Sequence, residues 1–85
     1  MKKPKHVRLY DNGGSTYDRY TAVYMDQPER QPGTFACLGM SAEPFHPQGF
    51  RQHGTAMPGR HLGKRIRWEE LPTDCQRAIA QDFQP

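Results

Sequence analysis

One stretch of the chain decides which fold the sequence predicts: Pro44 to Trp68, PFHPQGFRQHGTAMPGRHLGKRIRW. Its prolines fix the backbone angle φ and lack an N–H donor, and its glycines favour conformations outside regular structure. We therefore expect neither a helix nor a strand in this basic segment before about Lys64. Long connections inside a small domain are usually functional or disordered. Four large apolar side chains spread along it favour an ordered loop that packs on the domain: Phe45, Phe50, Met57 and Leu62.

Charge is distributed unevenly along the chain. The basic segment carries five Lys and Arg residues and no acid, and the first ten residues carry four more without an acid. The segments that follow each of these blocks are acidic, so the net charge of +3 conceals two strongly basic blocks. A basic surface of this kind predicts an anionic partner.

Length and composition indicate a single small domain spanning residues 1–85. Only 34% of the residues are hydrophobic, so four Tyr, four Phe and one Trp must supply much of the buried area. No apolar run approaches the roughly 18 residues of a membrane span, and we expect a cytoplasmic protein without membrane contact. In that reducing compartment Cys37 and Cys75 should remain thiols.

Alternating apolar residues predict three strands before the basic segment. The first covers residues 7–10, and the third covers residues 34–40. The second, Asp18 to Asp26, has apolar atoms on both faces, which indicates a central strand. Between the first two, Asp11-Asn12-Gly13-Gly14 predicts a type I′ hairpin turn. A glycine pair can also hold an anion with its N–H groups, although a plain turn explains the pattern.

The end of the basic segment, Lys64 to Trp68, predicts a fourth strand. Alternation places Ile66 and Trp68 toward the core and Arg65 and Arg67 toward solvent. The cationic face of this strand would therefore continue the basic surface of the loop.

A C-terminal helix is expected after Leu71-Pro72. Thr73 and Gln76 have the spacing of a capping box, and Cys75, Ile79 and Phe83 recur at helical spacing. The predicted fold class is α+β. We expect a small antiparallel sheet of three to four strands, one C-terminal helix on one face, and a long ordered Pro/Gly/His loop.

Three segments resemble a family of small bacterial, plasmid and phage proteins for which no function is established. They are DNGGSTYDRYT (residues 11–21), GMSAEPFHPQGF (residues 39–50) and HLGKRI (residues 61–66), the last followed by Leu71-Pro72 and a helix. The resemblance covers most of the chain and implies no cofactor or catalytic residue. It does imply an accessory or anti-defence role in a phage or plasmid setting.

The candidate binding residues are the cations and two of the histidines of the basic segment: Arg51, His53, Arg60, His61, Lys64, Arg65 and Arg67. Lys and Arg displace counterions from nucleic acid, and guanidinium groups hold phosphate oxygens two at a time. Phe45, Phe50 and Trp68 would add stacking on bases if they are exposed. The sequence thus predicts a non-enzymatic protein without a cofactor that binds an anionic partner, with nucleic acid as the first candidate.

Three other interpretations fit the same residues. The charges can be an ordinary solvated surface over an aromatic core. They can face an acidic protein surface, as in a phage or plasmid accessory protein that binds a host protein. Two of the imidazoles of His46, His53 and His61 can act as base and acid in a metal-independent ribonuclease. We expect no metal site, because the cysteines and histidines lack the close paired spacing of structural zinc sites.

Overall fold

Five strands and one helix make up the part of the chain that the structure describes. The computed structural model describes residues 1–84. The strands are β1 (Val7–Asp11), β2 (Tyr20–Pro28), β3 (Phe35–Met40), β4 (Arg51–Ala56) and β5 (Lys64–Ile66), and the helix is α1 (Thr73–Gln81). Two short 3-10 turns, Arg60–Leu62 and Trp68–Glu70, flank β5.

The strands form one antiparallel sheet in the order β4-β3-β2-β1-β5. The predicted α+β class is confirmed, although the sheet within residues 1–84 has five strands rather than three to four. β2 is the central strand, as its apolar residues on both faces indicated. β1 to β4 are joined in sequence as a meander, and β5 adds to the free edge of β1.

The main core lies between the sheet and α1. Ile66, Leu9, Ala22 and Leu38 are in register across four strands, and all four are buried on the helix side. The helix buries two residues of its predicted apolar stripe, Cys75 and Ile79, and the neighbouring Ala78. Further along the same stripe Phe83 is half-buried. The packing of α1 therefore follows the predicted periodicity.

A smaller apolar cluster lies on the second face of the sheet. It consists of Tyr10, Val23 and Cys37, and Leu62 packs against it. Because Leu62 belongs to the connection between β4 and β5, this connection crosses the second face from one edge of the sheet to the other. Cys37 and Cys75 are both free thiols on opposite sides of the sheet, which confirms that expectation.

The prediction that the basic segment has no regular structure before Lys64 is wrong. β4 lies inside it and pairs with β3 along its whole length, with Leu38 opposite His53. Residues 51–55 of this strand are exposed, so it needs no alternation of apolar residues and gives no strand signal. Phe45 is 37% exposed and Met57 is 50% exposed, so neither anchors the segment.

The connection between β1 and β2 is longer than the predicted two-residue turn. The N–H of Asn12 donates to the carbonyl oxygen of Arg19 (3.0 Å), which closes a loop of residues 12–19. A type I′ turn with Asn12 and Gly13 as its central residues needs a positive φ at Asn12, whereas the positive values occur at Gly13 and Gly14. Side-chain oxygens of Asp11 and Asn12 accept the N–H groups of these glycines at 2.8 Å, so the pair does not offer them to an anion.

The helix start also differs from the prediction. Pro72 takes the cap position, Thr73 is the first helical residue, and no side chain of residues 1–84 caps the N-terminus of the helix. The amide Nε2 of Gln76 instead donates to the carbonyl oxygen of Trp68 (2.8 Å). Gln76 thus ties α1 to the 3-10 turn before it. No helix within residues 1–84 combines the length and apolarity that crossing a bilayer requires.

Candidate anion-binding site

The structure separates the predicted binding residues into two groups. Arg51 and His53 lie on β4, whereas Lys64 and Arg65 lie on β5. These strands are the two opposite edges of the sheet, with β3, β2 and β1 between them. Four interstrand spacings amount to about 19 Å. The residues that stand close together in sequence therefore do not form one continuous surface.

On β4 the predicted residues are engaged with the end of the helix. The guanidinium of Arg51 donates to Oε1 of Gln81 (3.1 Å) and lies over the ring of Phe45. Nε2 of His53 lies 2.8 Å from Oδ2 of Asp82. These contacts fix both side chains against the C-terminal end of α1.

Asp82 joins this group to the core. Its Oδ2 also accepts the hydroxyl of Tyr24, whose ring packs edge-on against Phe83. Burial, followed by this hydrogen bond, raises the pKa of Tyr24, so the phenol remains a hydrogen-bond donor. The His53–Asp82–Tyr24 contact is thus a tie between β4, α1 and β2.

The other group surrounds an open groove, which we call the β5 groove. It is lined by Tyr10, Gly59, Arg60, Gly63, Lys64 and Arg65, and its volume is about 540 Å³. Arg60 comes from the 3-10 turn before β5, whereas Lys64 and Arg65 come from the strand itself. All three cations are exposed. The groove therefore presents three positive charges from a short length of chain.

Backbone geometry brings Arg60 next to the strand. Gly63 has a φ of +110°, and a Cβ at this position would lie 2.3 Å from the carbonyl oxygen of Asp11. Only glycine can let the chain turn so close to the end of β1. Leu62 anchors the same turn on the second face of the sheet, where it packs against the apolar cluster that includes Tyr10. The turn and the strand are consequently fixed relative to each other.

Tyr10 positions one of the cations. The guanidinium carbon of Arg65 lies 5.7 Å from the centre of the Tyr10 ring, which is within the range of a cation–π contact. The two residues are directly opposite each other in the β1–β5 ladder. Because Tyr10 is 4% exposed, its ring is held in place by packing. The guanidinium of Arg65 therefore contacts a fixed aromatic surface.

A second open groove adjoins the first and brings His61 close to Arg60 and Lys64. Its volume is about 580 Å³, and its other side carries Asp11 and Arg19. Nε of Arg19 donates to Oδ1 of Asp11 (2.8 Å). This hydrogen bond, aided by the nearby charge of Lys64, holds the pKa of Asp11 below its usual value. The carboxylate is thus already neutralised by Arg19.

The arginines differ in whether an acid accompanies them. Arg19, Arg67 and Arg77 each have a carboxylate within ion-pair distance. Within residues 1–84, none of Arg60, Lys64 and Arg65 forms such a pair. The β5 groove therefore brings together three cations whose charge remains available.

Arg67 does not extend the β5 groove. Its guanidinium lies 3.7 Å from Oε2 of Glu70, and its backbone N–H donates to the same oxygen (2.7 Å). The strand predicted to run to Trp68 ends at Ile66, and a 3-10 turn begins at Trp68. Trp68 is buried, as predicted.

The three histidines of the basic segment lie on separate elements. Nδ1 of His46 accepts the N–H of Gln48 (3.1 Å) in the loop before β4. His53 is on β4, whereas His61 is beside β5 at the opposite edge. A ribonuclease of the expected kind needs two imidazoles around one phosphate. His53 and His61, on opposite edges of the sheet, do not supply that arrangement.

Within the described part of the chain, no group of three His, Cys, Asp or Glu residues is arranged to hold a metal ion.

Sequence reasoning missed Tyr10 and Gly63 as parts of the β5 groove. Tyr10 alternates with Leu9 and so had to face away from the main core, which was the available signal. No sequence signal predicted the close approach of Gly63 to Asp11, because this approach depends on the pairing of β5 with β1.

Comparisons with known proteins returned no match among family models, curated proteins or solved structures.

Proposed function

We propose that the protein is a non-enzymatic binding protein that holds phosphate groups of a nucleic acid in the β5 groove. The observation that supports this most directly is that Arg60, Lys64 and Arg65 surround one groove without a carboxylate partner within residues 1–84. Unpaired guanidinium groups can offer two parallel N–H donors to phosphate oxygens, and an ammonium group adds a compact charge.

The aromatic residues favour contact with the backbone of the nucleic acid rather than with its bases. Trp68 and Tyr10 are buried, and Phe50 is half-buried, so these rings have little face to offer for stacking. Phe45 is partly exposed but lies beside Arg51 at the opposite edge of the sheet. Phosphate contacts position a protein on nucleic acid without reading its sequence. We therefore expect binding with little sequence preference and strong dependence on salt.

A triple variant tests the proposal: Arg60→Gln, Lys64→Gln and Arg65→Gln. Each phosphate contact contributes a slope of about −0.7 for single strands or −0.9 for duplexes when log K is plotted against log salt concentration. Loss of three contacts should reduce the slope by about two to three units and weaken binding at low salt. Titrations of RNA and DNA oligonucleotides at several salt concentrations measure both quantities.

A control variant removes the same net charge elsewhere: Arg30→Gln, Arg67→Gln and Arg77→Gln. These three arginines are exposed and lie outside the β5 groove. We expect the control variant to keep most of the parent's salt slope. Unfolding curves of both variants establish that they fold.

Two results would overturn the proposal. One is that the wild-type protein binds neither RNA nor DNA at low salt. The other is that the triple variant and the control variant change affinity and slope equally, which would mean that only net charge matters. The first result would favour an acidic protein surface as the partner, in agreement with the accessory role that the resemblance implies.

A further inference from the structure

The β4 edge is the second exposed edge of the sheet, and it is built differently from β5. β4 has six residues, RQHGTA, with neither a proline nor a lysine, whereas β5 has three residues including Lys64. Natural proteins usually shorten an edge strand or place lysine or proline on it, because its free N–H and C=O groups can pair with another chain. β4 is not shortened and carries neither lysine nor proline, and the side chain of its one arginine, Arg51, turns to Gln81.

The hydrogen-bond pattern shows which residues of β4 have free backbone groups. The N–H of Ser41 donates to the carbonyl oxygen of Phe50 (2.9 Å). Bonded and non-bonded pairs alternate along an antiparallel ladder. Counting from that bonded pair, residues 52, 54 and 56 bond to β3. Arg51, His53 and Thr55 therefore turn their N–H and C=O groups outward.

Nothing else within residues 1–84 occupies these outward groups. The backbones of Arg51, His53 and Thr55 form no hydrogen bond with any loop or side chain there. The side chains of these three residues contact other parts of the same chain. Arg51 reaches Gln81, His53 reaches Asp82, and the hydroxyl of Thr55 lies 3.4 Å from Oε1 of Glu29. The backbone edge is thus left open.

We propose that a second copy of the chain pairs with this edge, antiparallel, to form a two-fold symmetric dimer. Outward-facing residues of one strand must bond to outward-facing residues of the other. Together with the condition that all three outward-facing residues of each copy are paired, this requirement places the axis at His53 and pairs Arg51 with the partner's Thr55. His53 then faces the partner's His53, and each imidazole keeps its own Asp82.

Charge complementarity selects a second copy as the occupant. Because Glu29 accompanies Thr55, the pairing brings Arg51 toward the partner's Glu29, and the symmetry repeats this contact at the other end. No arginine faces an arginine along the paired strands, because Arg51 lies opposite the partner's Thr55. The β5 groove remains at the outer edge of each copy, so the dimer does not depend on the proposed function.

The molecular mass of the protein in solution tests whether it forms the proposed dimer. Sedimentation of the wild-type protein across a dilution series should approach twice the 9.8 kDa of one chain as concentration rises. Thr55→Pro removes an outward N–H, and proline is tolerated at such positions of an edge strand. This variant should fold and sediment as a monomer. Thr55→Ala keeps the N–H and should remain a dimer.

A charge exchange tests the register without proline. Arg51→Glu places a carboxylate near the partner's Glu29 and should raise the dissociation constant of the dimer about tenfold or more. Adding Glu29→Arg should restore it. A wild-type protein that stays monomeric at every concentration overturns the proposal and leaves the edge to a strand of another protein. A folded Thr55→Pro protein that still dimerises overturns it as well, and so does a charge exchange without effect.

Discussion

At Gly63 the chain passes the end of β1 without room for a side chain. The residue has a φ of +110°, and an added Cβ would lie 2.3 Å from the carbonyl oxygen of Asp11. We expect Gly63→Ala to lower the free energy of unfolding by about 3 kcal/mol, because backbone strain and displacement of the β1–β5 ladder act together. Urea unfolding measures the change.

Gly13→Ala is the matched control for that prediction. Gly13 also has a positive φ, +77°, but nothing lies within 4 Å of its added Cβ. Only the conformational cost remains there, about 1 kcal/mol. Equal losses for the two variants would contradict the close approach at Gly63.

Cys75 makes stability depend on pH in the alkaline range. Its side chain is fully buried with Sγ 3.2 Å from the carbonyl oxygen of Ser41, and burial raises the thiol's pKa from 9.0 to about 12. The unfolded chain therefore loses this proton first, and the free energy of unfolding falls as the pH rises above about 9. Tyr24, whose pKa is also raised, adds to the loss from about pH 10.

Cys75→Ser isolates that contribution, since a serine hydroxyl does not titrate in this range. Urea unfolding between about pH 8 and pH 10 should show a smaller decrease for this variant than for the wild type. Identical slopes would mean that Cys75 ionises as easily in the folded protein as in the unfolded chain.

At the scale of elements, the sequence predicted those that bury side chains on one face or on both. Alternation at Ile66 and helical spacing at Ile79 predicted β5 and α1, because burial imposes these patterns. β4 was missed because its stability comes from backbone pairing with β3, which leaves no pattern of side chains. The two edges could not be predicted either, since the order of strands decides that Arg51 and Arg65 lie far apart.

The start of α1 depends on Gln76 rather than on Thr73. The side chain of Gln76 donates to the carbonyl oxygen of Trp68, whereas the Thr73 side chain makes no capping bond. We expect Gln76→Ala to lower the free energy of unfolding by about 1 kcal/mol and Thr73→Ala to change it by less than about 0.5 kcal/mol. Thermal or urea unfolding of the two variants checks this order. A larger loss for Thr73→Ala would restore the capping box.

At the scale of the whole molecule, the two proposed binding surfaces lie at the two edges of the sheet. The helix covers one face, and the connection through Leu62 crosses the other, so neither face is open along its length. In the proposed dimer, two β5 grooves would lie at the ends of a ten-stranded sheet. Nine interstrand spacings place these ends about 43 Å apart.

The pairing of β5 with β1 bears on the order in which the molecule folds. β1 to β4 form from neighbouring segments, whereas β5 must return to the first strand, and Nε1 of Trp68 donates to the carbonyl oxygen of Met1, 67 positions earlier. Closing so long a loop costs entropy before it gains contacts. The transition state should therefore contain the meander and lack β5.

The single tryptophan makes this order measurable, because its fluorescence reports on a residue next to β5. In stopped-flow experiments Ile66→Val should mainly speed unfolding, whereas Val23→Ala in the central strand should mainly slow refolding. If Ile66→Val slows refolding as much as Val23→Ala does, the two ends of the chain meet early. The amino terminus would then take part in the folding nucleus rather than join a sheet that has already formed.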